Sequence, residues 1–562
     1  MSLPPSSVDR VDLSLHTPKA AAILTRVYPL KHTHTYSSLA LALTGLLAIS
    51  CGGSADKTPD PTPTIPTPAT PKPGFTFSGA AGTADTVGAT LAQPLRVVLR
   101  DAAGQPMAGK VVRFTSVRGG TGSAISALAV VVTGTTLEFT KWVTTASDGS
   151  IDVKVFLGDG AGAASIAIQM DDSQLYADTA RFTALPGNAV SITSAPQDTA
   201  IAVGGSYTVT SVVRDRAGNA RPDALSYRAL DGSITLSAAR QVTASTIARS
   251  GVIASLGATI MDTARVSVAP TGTMAVRQGA TVRVVTLDGR RIADVPVVAG
   301  SPNPPLPIPG PEWAPDGQTF YSTMGSQSGD PVSLYRIDLT GARTMVGTCS
   351  YAACPKGTPA FVIPGGFASF SPSGDGRFLY LSGGGCNYMG ILYQAQTGSS
   401  SAPQRLSPAN ADDCFNTIHR WPSISPDGTV VAFENDSTYF GGFTIQFLDV
   451  ATRSMRPLRL AGQRPRWSPS GVEVAFVNGS AVWLVRLDGT GLRKLTTSNR
   501  QYLPGVTWSP DGRWVLAHAS VNGRPMVIVV DAQTGLELPL AFTSGWLDSE
   551  NGAPVPAWRP NS

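Results

Sequence analysis

The chain has 562 residues, of which 42% are hydrophobic and only 14% charged, with 58 Gly and 44 Pro. One hydrophobic core rarely serves more than about 250–300 residues, so the length excludes a single domain and predicts three or four folded units. The net charge of +5 comes from scattered residues without a basic run interleaved with aromatics, which argues against a nucleic-acid partner. Many turn residues and no sustained helical repeat of apolar positions predict an all-β protein.

The first 50 residues have the pattern of an export signal. Basic residues precede an apolar run at 37–50, which is too short to span a bilayer as a mature helix. Leu-Ala-Ile-Ser-Cys at 47–51 resembles the lipobox of bacterial lipoprotein leaders. That resemblance implies cleavage before Cys51 and acylation of its sulfur, whereas a buried helix that ends at an ordinary cysteine is the alternative.

Residues 51–74 are predicted to be a tether. Pro alternates with Thr over 54–74, a composition that stays extended as polyproline II and buries nothing. With lipid on Cys51, the tether would hold an exported protein on the cell envelope. Gly52 and Gly53 follow Cys51, and neither is the Asp that would resemble an inner-membrane retention signal. The outer membrane is therefore the favoured location.

Residues 75–187 are predicted to form a β-sandwich. Strand patterns at 95–101 and 110–116 flank a turn, and two further alternating strands follow at 151–158 and 166–170. The segment 95–116 resembles the bacterial Ig-like repeats of invasin and intimin, which implies an Ig-like fold.

Residues 188–271 are predicted to form a second Ig-like domain. Their segment at 207–223 repeats the order of strand, Asp, Ala-Gly and Pro found in the first. For both domains we favour a role as a spacer over a role in binding, because a fold by itself does not assign a function.

The C-terminal half repeats one phrase six times, at intervals of 41 to 57 residues that are typical of propeller blades. Its copies are PEWAPDG at 311, ASFSPSG at 368, PSISPDG at 422, PRWSPSG at 465, VTWSPDG at 506 and PAWRP at 556. In Ser-Pro-Asp-Gly, Pro presets φ and Gly accepts a left-handed conformation, so the phrase predicts a hairpin turn. The copies resemble the TolB-like propeller repeat, which implies a six-bladed β-propeller over residues 272–562.

The last copy lacks a second strand. Residues 273–279 have the pattern of such a strand and stand before the first copy. We therefore predict that the strand of Trp558 pairs with the segment near Ala275, so that both ends of the propeller close the ring and remove its free sheet edge.

All long connections between strands are predicted on one face of the propeller. If the four strands of a blade alternate in direction, the Ser-Pro-Asp-Gly turns share one face and the long connections share the other, where recognition is expected. These connections are 299–311, 345–366, 383–390, 407–421, 434–443 and 541–556.

Four cysteines fall in these connections: Cys349, Cys354, Cys386 and Cys414. Export would oxidise them. Pairing of Cys349 with Cys354 and of Cys386 with Cys414 is favoured, although four cysteines allow three connectivities. Structural zinc is the alternative, and we predict no metal and no cofactor.

Six polar residues are predicted to line the ligand face: Asp412, Asp413, His419, Arg420, Glu434 and Asp436. Two carboxylates and a histidine could perform acid–base chemistry, yet a solvated loop is the favoured interpretation of the adjacent Asp412 and Asp413, because no spacing converges them on one atom. No Gly-x-Ser-x-Gly occurs, which excludes a serine peptidase of the prolyl-oligopeptidase type. We assign no catalytic residue and do not favour an enzyme.

The sequence thus predicts a membrane-anchored envelope lipoprotein with two Ig-like spacers and a propeller that binds a protein or glycan. A carbohydrate-active lyase or hydrolase and a surface adhesin are the alternatives. Clustered carboxylates or a metal at the propeller axis would favour the enzyme. Exposed aromatic side chains on the Ig-like sheets would favour the adhesin.

Overall fold

The computed structural model describes residues 74–118, 128–171, 173–278, 281–297, 310–324, 333–349, 361–363, 367–383, 390–408, 418–436, 442–546 and 556–560. All of them belong to the unit Pro71–Ser562. The predicted leader and lipobox and nearly all of the tether lie outside these residues. The described ranges form strands, turns and a short 3-10 helix at Ala541–Thr543, as an all-β composition predicts. None of their helices is long and apolar enough to cross a membrane.

The first sandwich consists of two five-stranded sheets, ordered β1-β3-β8-β5-β6 and β2-β10-β9-β4-β7. Its strands are β1 (Gly74–Gly79), β2 (Ala84–Thr86), β3 (Leu95–Arg100), β4 (Val111–Val117), β5 (Ala129–Thr133), β6 (Thr136–Glu138), β7 (Thr140–Thr144), β8 (Ser150–Leu157), β9 (Gly162–Met170) and β10 (Ser173–Leu185). Alternate residues of β3 and β8 are buried between the sheets, as one buried sheet face requires. The four strands predicted here are therefore present.

The second sandwich has smaller sheets, ordered β11-β14-β15, β12-β20-β19-β16 and β13-β18-β17. Its strands are β11 (Ala189–Ala195), β12 (Asp198–Ala202), β13 (Ser206–Thr208), β14 (Thr210–Asp215), β15 (Ala220–Arg221), β16 (Ser226–Ala229), β17 (Ile234–Leu236), β18 (Gln241–Ala244), β19 (Ala248–Leu256) and β20 (Ile260–Ala269). In both sandwiches a short early strand pairs in parallel with the last strand, β2 with β10 and β12 with β20. The two units therefore share a topological feature as well as a sequence pattern.

Six sheets follow within the described residues, and we number them 1 to 6 along the chain. Sheet 1 contains β21 (Thr273–Gln278), β22 (Thr281–Thr286) and β23 (Arg291–Pro296). Sheet 2 contains β24 (Glu312–Trp313), β25 (Thr319–Met324), β26 (Ser333–Asp338), β27 (Arg343–Cys349) and β28 (Phe361–Ile363). Sheet 3 contains β29 (Phe367–Pro372), β30 (Phe378–Gly383), β31 (Ile391–Gln396) and β32 (Gln404–Arg405).

Sheets 4 to 6 repeat the four-stranded antiparallel order. Sheet 4 contains β33 (Ile418–Ile424), β34 (Val430–Asp436), β35 (Phe443–Asp449) and β36 (Leu460–Ala461). Sheet 5 contains β37 (Gln463–Trp467), β38 (Glu473–Asn478), β39 (Ala481–Arg486) and β40 (Arg493–Lys494). Sheet 6 contains β41 (Gln501–Trp508), β42 (Trp514–Val521), β43 (Arg524–Asp531) and β44 (Glu537–Leu540), and β45 (Ala557–Trp558) returns to sheet 1.

The predicted pairing of the two ends is confirmed. Trp558 pairs with Met274 and Ala557 with Ala275, so β45 is the first strand of sheet 1. The turn chemistry is also as predicted, since Gly428 adopts φ 74° and its N–H donates to the Ser425 carbonyl at 2.9 Å. Because the strands alternate in direction, these turns share one edge of the sheets, and the connections into the first strands share the other.

The third copy of the repeat has a different register from the predicted one. The hairpin turn closes at Ser373, whose N–H donates to Phe378, and not at Ser371. Pro372 pairs with Leu379, the position at which Trp313 pairs with Phe320 in sheet 2. The phrase Ser-Pro-Ser-Gly at 371–374 therefore misled the prediction, because Ser-Gly-Asp-Gly at 373–376 forms the turn.

The predicted connection 345–366 contains a strand that the repeat does not predict. Residues 345–366 include the end of β27 and the strand β28, which adds to sheet 2 in parallel through Gly347 and Phe361. A parallel fifth strand was not expected, because its short apolar pattern has neither the repeat phrase nor a hairpin turn beside it.

The second sandwich packs on sheet 6. Ala200 and Ala269 share an apolar cluster with Leu538 and Leu540 of β44. The Ser267 hydroxyl donates to the Pro539 carbonyl at 2.8 Å. These contacts hold the sandwich against the outer strand of the last sheet.

Candidate functional site

The first strands of several sheets carry a β-bulge at the same place. The pairing register shifts between Arg420 and Ser423, between Gln463 and Arg466, and between Leu503 and Val506. A bulge re-aims a side chain and is frequent beside functional sites. In sheets 4 and 5 the bulge places Trp421 and Arg464 in a left-handed conformation, with φ of 53° and 48°.

Arg420, Trp421, Glu434 and Arg464 form what we call the mouth cluster. The guanidinium carbon of Arg464 lies 3.9 Å from the centre of a Trp421 ring. The Arg464 N–H, which the bulge turns out of the ladder, donates to Glu434 Oε2 at 3.0 Å. Arg420 Nε donates to Glu434 Oε1 at 2.7 Å. The buried carboxylate of Glu434 thus binds both β33 and β37, the first strands of sheets 4 and 5.

The same bulges use side chains of the preceding sheet as hydrogen-bond partners. The Trp421 N–H donates to Ser369 Oγ of sheet 3 at 2.7 Å. Arg464 also reaches forward, and its guanidinium donates to the Pro504 carbonyl of sheet 6 at 3.1 Å. The mouth cluster therefore depends on four consecutive sheets.

Polar residues recur at one position of the second strands. In each sheet, the last residue of the first strand pairs with a residue of the second strand, and the position in question lies three residues after that partner. In sheet 4, for example, Ile424 pairs with Val431, and Glu434 lies three residues after Val431. Every occupant is buried, and all but one are polar. In order from sheet 1 to sheet 6 they are Arg277, Thr323, Ser382, Glu434, Val477 and His518.

Contacts between these residues and the next sheet tie the sheets together near the edge of the long connections. Ser382 Oγ donates to the His419 carbonyl at 2.6 Å, and Glu434 binds Arg464. Neither ring nitrogen of His518 has a hydrogen-bond partner among the residues that the structure describes. Burial, together with Arg464, lowers the pKa of His518 to about 3, so the ring is neutral at physiological pH.

Glu312 and Arg466 form a largely buried ion pair between sheets 2 and 5. Both residues lie immediately before the last residue of their first strand. Burial raises the pKa of Glu312, and Arg466 opposes this effect. Because sheets 3 and 4 separate these sheets along the chain, the pair requires that the first strands face one another across a narrow interior.

The structure resolves part of the predicted ligand face. Arg420 and Glu434 come together in the mouth cluster. His419 does not join them, because its ring is buried against Phe433 and its Nδ1 bonds the Ser407 hydroxyl at 2.9 Å. His419 is only 3% exposed and therefore belongs to the core, and burial together with Arg405 lowers its pKa to about 4.

Several predicted residues remain untested. Asp436 ends β34 and pairs through its backbone with Ile418 and Phe443. Asp412 and Asp413 lie outside the described residues. Among the cysteines only Cys349 is described, as the last residue of β27. The pairings with Cys354, Cys386 and Cys414, which lie outside these residues, therefore stay predictions, as does acylation of Cys51.

Sequence reasoning missed Trp421, Arg464, Arg466 and Glu312. A usable signal was present, since Trp421 and Arg464 each immediately precede the proline of a repeat copy. Aligned copies would have shown an aromatic and a cation at one structural position in neighbouring sheets.

Within the described ranges, no three His, Cys, Asp or Glu side chains are grouped so that they could hold a metal ion. Glu312 and Glu434 each bind an arginine. The arrangement is suited to holding strands and presenting a partly exposed Arg–Trp stack.

Known proteins are similar to part of the chain. The chain is 34% identical over 124 residues to a TolB homologue of Chlorobium luteolum, a match that covers 21% of this chain and 28% of the relative. This similarity supports a TolB-like β-propeller in the chain. An uncharacterised Agrobacterium fabrum protein is 27% identical over 160 residues, covering 28% of this chain and 51% of that protein.

Other comparisons add little detail to this assignment. TolB of Acinetobacter baumannii superimposes with a TM-score of 0.36 at 17% identity, covering 60% of this chain and 83% of that structure. No family model matches the chain. The chain spans 28% and 51% of the length of the two curated relatives. In the propeller, the mouth cluster lies at the edge where the long connections enter the first strands.

Proposed function

We propose that this chain is an exported envelope protein whose TolB-like propeller binds a protein partner through the mouth cluster. The observation that carries this proposal is the Arg464–Trp421 stack, built on two left-handed residues. Such conformations cost of order 1–3 kcal/mol each and persist where the surroundings impose them, typically at functional sites. Glu434 and Ser369 impose them here.

The chemistry of the stack favours a protein partner. Trp and Arg dominate the energetics of protein interfaces, because they offer large rigid contact surfaces that also donate hydrogen bonds. Both side chains are partly exposed, whereas the strands beneath them are buried. The stack is thus a rigid surface that a partner can contact without first ordering it.

We infer further that the six sheets are the six blades of a closed ring. The pairing of β45 with β21 supports closure, because it joins the two ends of the propeller in one sheet. The Glu312–Arg466 pair supports a six-fold arrangement, since sheets 2 and 5 are opposite each other only in a ring of six. Residues 272–562 are the proposed propeller domain.

We also propose that residues 75–187 and 188–271 are Ig-like spacers. The parallel pairing of an early strand with the last strand in both units supports an Ig-like topology. The junction between the units is well bonded, since Asn219 Nδ2 donates to the Asp159 carbonyl at 2.7 Å and Gly187 N–H donates to Asp215 at 2.8 Å. Such spacers would present the propeller at a defined orientation.

Export and anchoring complete the proposal. A lipid on Cys51 and the Pro/Thr-rich segment 51–74 would tether the protein, with the outer membrane as the favoured location. Mass spectrometry of the mature protein from the cell envelope tests this, with acylation of Cys51 expected and loss of membrane association in Cys51→Ala. A mature protein that retains residues 1–50 contradicts it.

Affinity capture from envelope extracts tests the binding function. We expect the wild-type protein to retain a specific partner and the double variant Trp421→Ala/Arg464→Ala to lose it at least tenfold. Arg377→Ala is the matched control, because Arg377 is highly exposed in a turn at the opposite edge. A partner that binds the double variant and the wild type equally contradicts the proposal.

A surface adhesin is a second candidate, which one observation favours. Phe139 and Trp142 of the first sandwich are 56% and 52% exposed and lie at or between the edge strands β6 and β7. Exposed apolar side chains that form a contiguous patch mark interaction surfaces. Adhesion that survives changes at the mouth cluster but is lost in Phe139→Ser/Trp142→Ser would support this role.

A further inference from the structure

A depression at the edge of sheet 5 has the features of a separate binding site. It lies between the turn from β38 to β39 and the connection from β40 to β41, on the same face as the mouth cluster. Its volume is about 240 Å³. Sites for drug-sized ligands occupy about 300–1,000 Å³, so this one suits a smaller molecule or one unit of a polymer.

Most of the residues that line the depression carry a side-chain hydrogen-bond donor, although the surface that they expose to it is mostly apolar. Lys494 and Arg500 supply cationic groups, and Asn478 and Asn499 supply carboxamides. Trp483 adds an aromatic surface beside Lys494, with which it pairs across the strands. Aromatic surface with a few placed polar groups is the usual composition of a small-molecule site.

The connection that carries Ser498 and Arg500 is held from behind. The nearly buried Glu537 of β44 accepts hydrogen bonds from Ser498 N at 3.2 Å and from Ser498 Oγ at 2.6 Å. Glu537 also forms an ion pair with Arg500. This wall is therefore ordered before any ligand arrives, which reduces the entropic cost of binding.

The charge of the depression is positive. None of its lining residues is acidic, and Glu537 neutralises only Arg500. The exposed Lys494 has no ion-pair partner among the described residues. Lys494 is also unusual in sequence, since residues 272–562 contain only one other lysine, Lys356, and otherwise use arginine. A compact ammonium group suits a single point of anionic charge.

We propose that this depression binds one anionic sugar unit, with Lys494 contacting its carboxylate or phosphate and the carboxamides contacting its hydroxyls. The volume limits the ligand to about one sugar unit, and the cationic side chains favour a negatively charged ligand. Trp483 together with the carboxamide donors favours a sugar over an inorganic ion. The site is independent of the mouth cluster, so failure of either proposal leaves the other testable.

Isothermal titration of the purified full chain with four probes tests this inference. The probes are glucuronate, glucose 6-phosphate, glucose and inorganic phosphate. We expect glucuronate or glucose 6-phosphate to bind at least tenfold more tightly than glucose and than inorganic phosphate. The comparison of glucuronate with glucose 6-phosphate identifies the anionic group.

Variants assign the binding to this place. Lys494→Gln and Asn499→Ala should each weaken binding of the tighter probe, the former at least tenfold, whereas Lys154→Gln, at an exposed position of β8 in the first sandwich, should not. Unchanged melting temperatures show that the variants fold. Equal affinity of Lys494→Gln and wild type, binding of glucose or phosphate as tight as that of the charged sugars, or no binding of any probe overturns the proposal.

Discussion

Trp558 and Met274 pair on neighbouring strands although they come from opposite ends of the propeller. Both side chains lie in an apolar cluster that also contains Leu516 of sheet 6 and reaches the second sandwich through Ala200. The closing strand has only two residues, so side-chain burial contributes more to closure than the ladder of hydrogen bonds does.

Trp558→Ala should therefore open sheet 1. Removing a buried tryptophan costs about 3–5 kcal/mol, through lost burial and the cavity left behind. We expect faster hydrogen exchange in β21 and a lower melting temperature. Trp142→Ala is the control, because its exposed side chain should change stability by about 0.5 kcal/mol or less. Unchanged protection of β21 would show that Trp558 does not close the ring.

Glu434→Gln tests the carboxylate of the mouth cluster. Loss of the charge weakens the bonds from Arg420 and from the Arg464 N–H, and disruption of a buried ion pair costs about 3 kcal/mol. Asp449→Asn offers a comparison, since its ion pair with Arg456 is about one-third exposed and is worth about 1 kcal/mol or less. Urea unfolding measures the free energy of unfolding of both variants. Equal decreases in the two variants would contradict the role given to Glu434.

His518 should make the propeller acid-sensitive. Its pKa of about 3 in the folded protein lies below the ordinary 6.5, so the unfolded chain binds a proton first as the pH falls. Stability from this residue is thus complete above pH 6.5 and decreases as the pH falls toward 3.

When the pH falls from 6.5 to 4.5, the free energy of unfolding should decrease by about 2 kcal/mol more in the wild type than in a variant without this titrating group. Unfolding curves of the wild type and His518→Leu at both pH values measure the difference, because the other titrating groups are common to both proteins. A pH dependence that is identical in the two proteins would show that His518 stays solvated.

Asn219→Ala should loosen the junction between the sandwiches. Asn219 donates to the Asp159 carbonyl and accepts from Ala161 N–H at 2.9 Å, so it bonds across the junction. Small-angle scattering should show a broader distribution of distances, and proteolysis near Gly187 should accelerate. Gln105→Ala is the matched control. Gln105 accepts the Asp101 N–H in a turn of the first sandwich, just as Asn219 accepts the Asp215 N–H in the second. Identical behaviour of the two variants would contradict a locked junction.

Part of the candidate site could be predicted from sequence. Arg420 and Glu434 were expected together, because both stand close to connections on one face. The burial of His419 was not expected, since it depends on Phe433 and Ser407, which pack against it from a neighbouring strand and a neighbouring sheet. Such packing has no signal in the residues that flank a histidine.

The sequence by itself determined the repeat, the hairpin turns and the closing pair. Each of these depends on local chemistry: Pro and Gly restrict the turn of 425–428, alternation sets the buried face of a strand, and an unpaired strand at each end requires a partner. Only the tertiary structure decided the register of Pro372, the stacking of Arg464 on Trp421 and the depression beside Lys494. These features join residues from different sheets or connections, and their geometry follows from bulges and packing between sheets that no local pattern encodes.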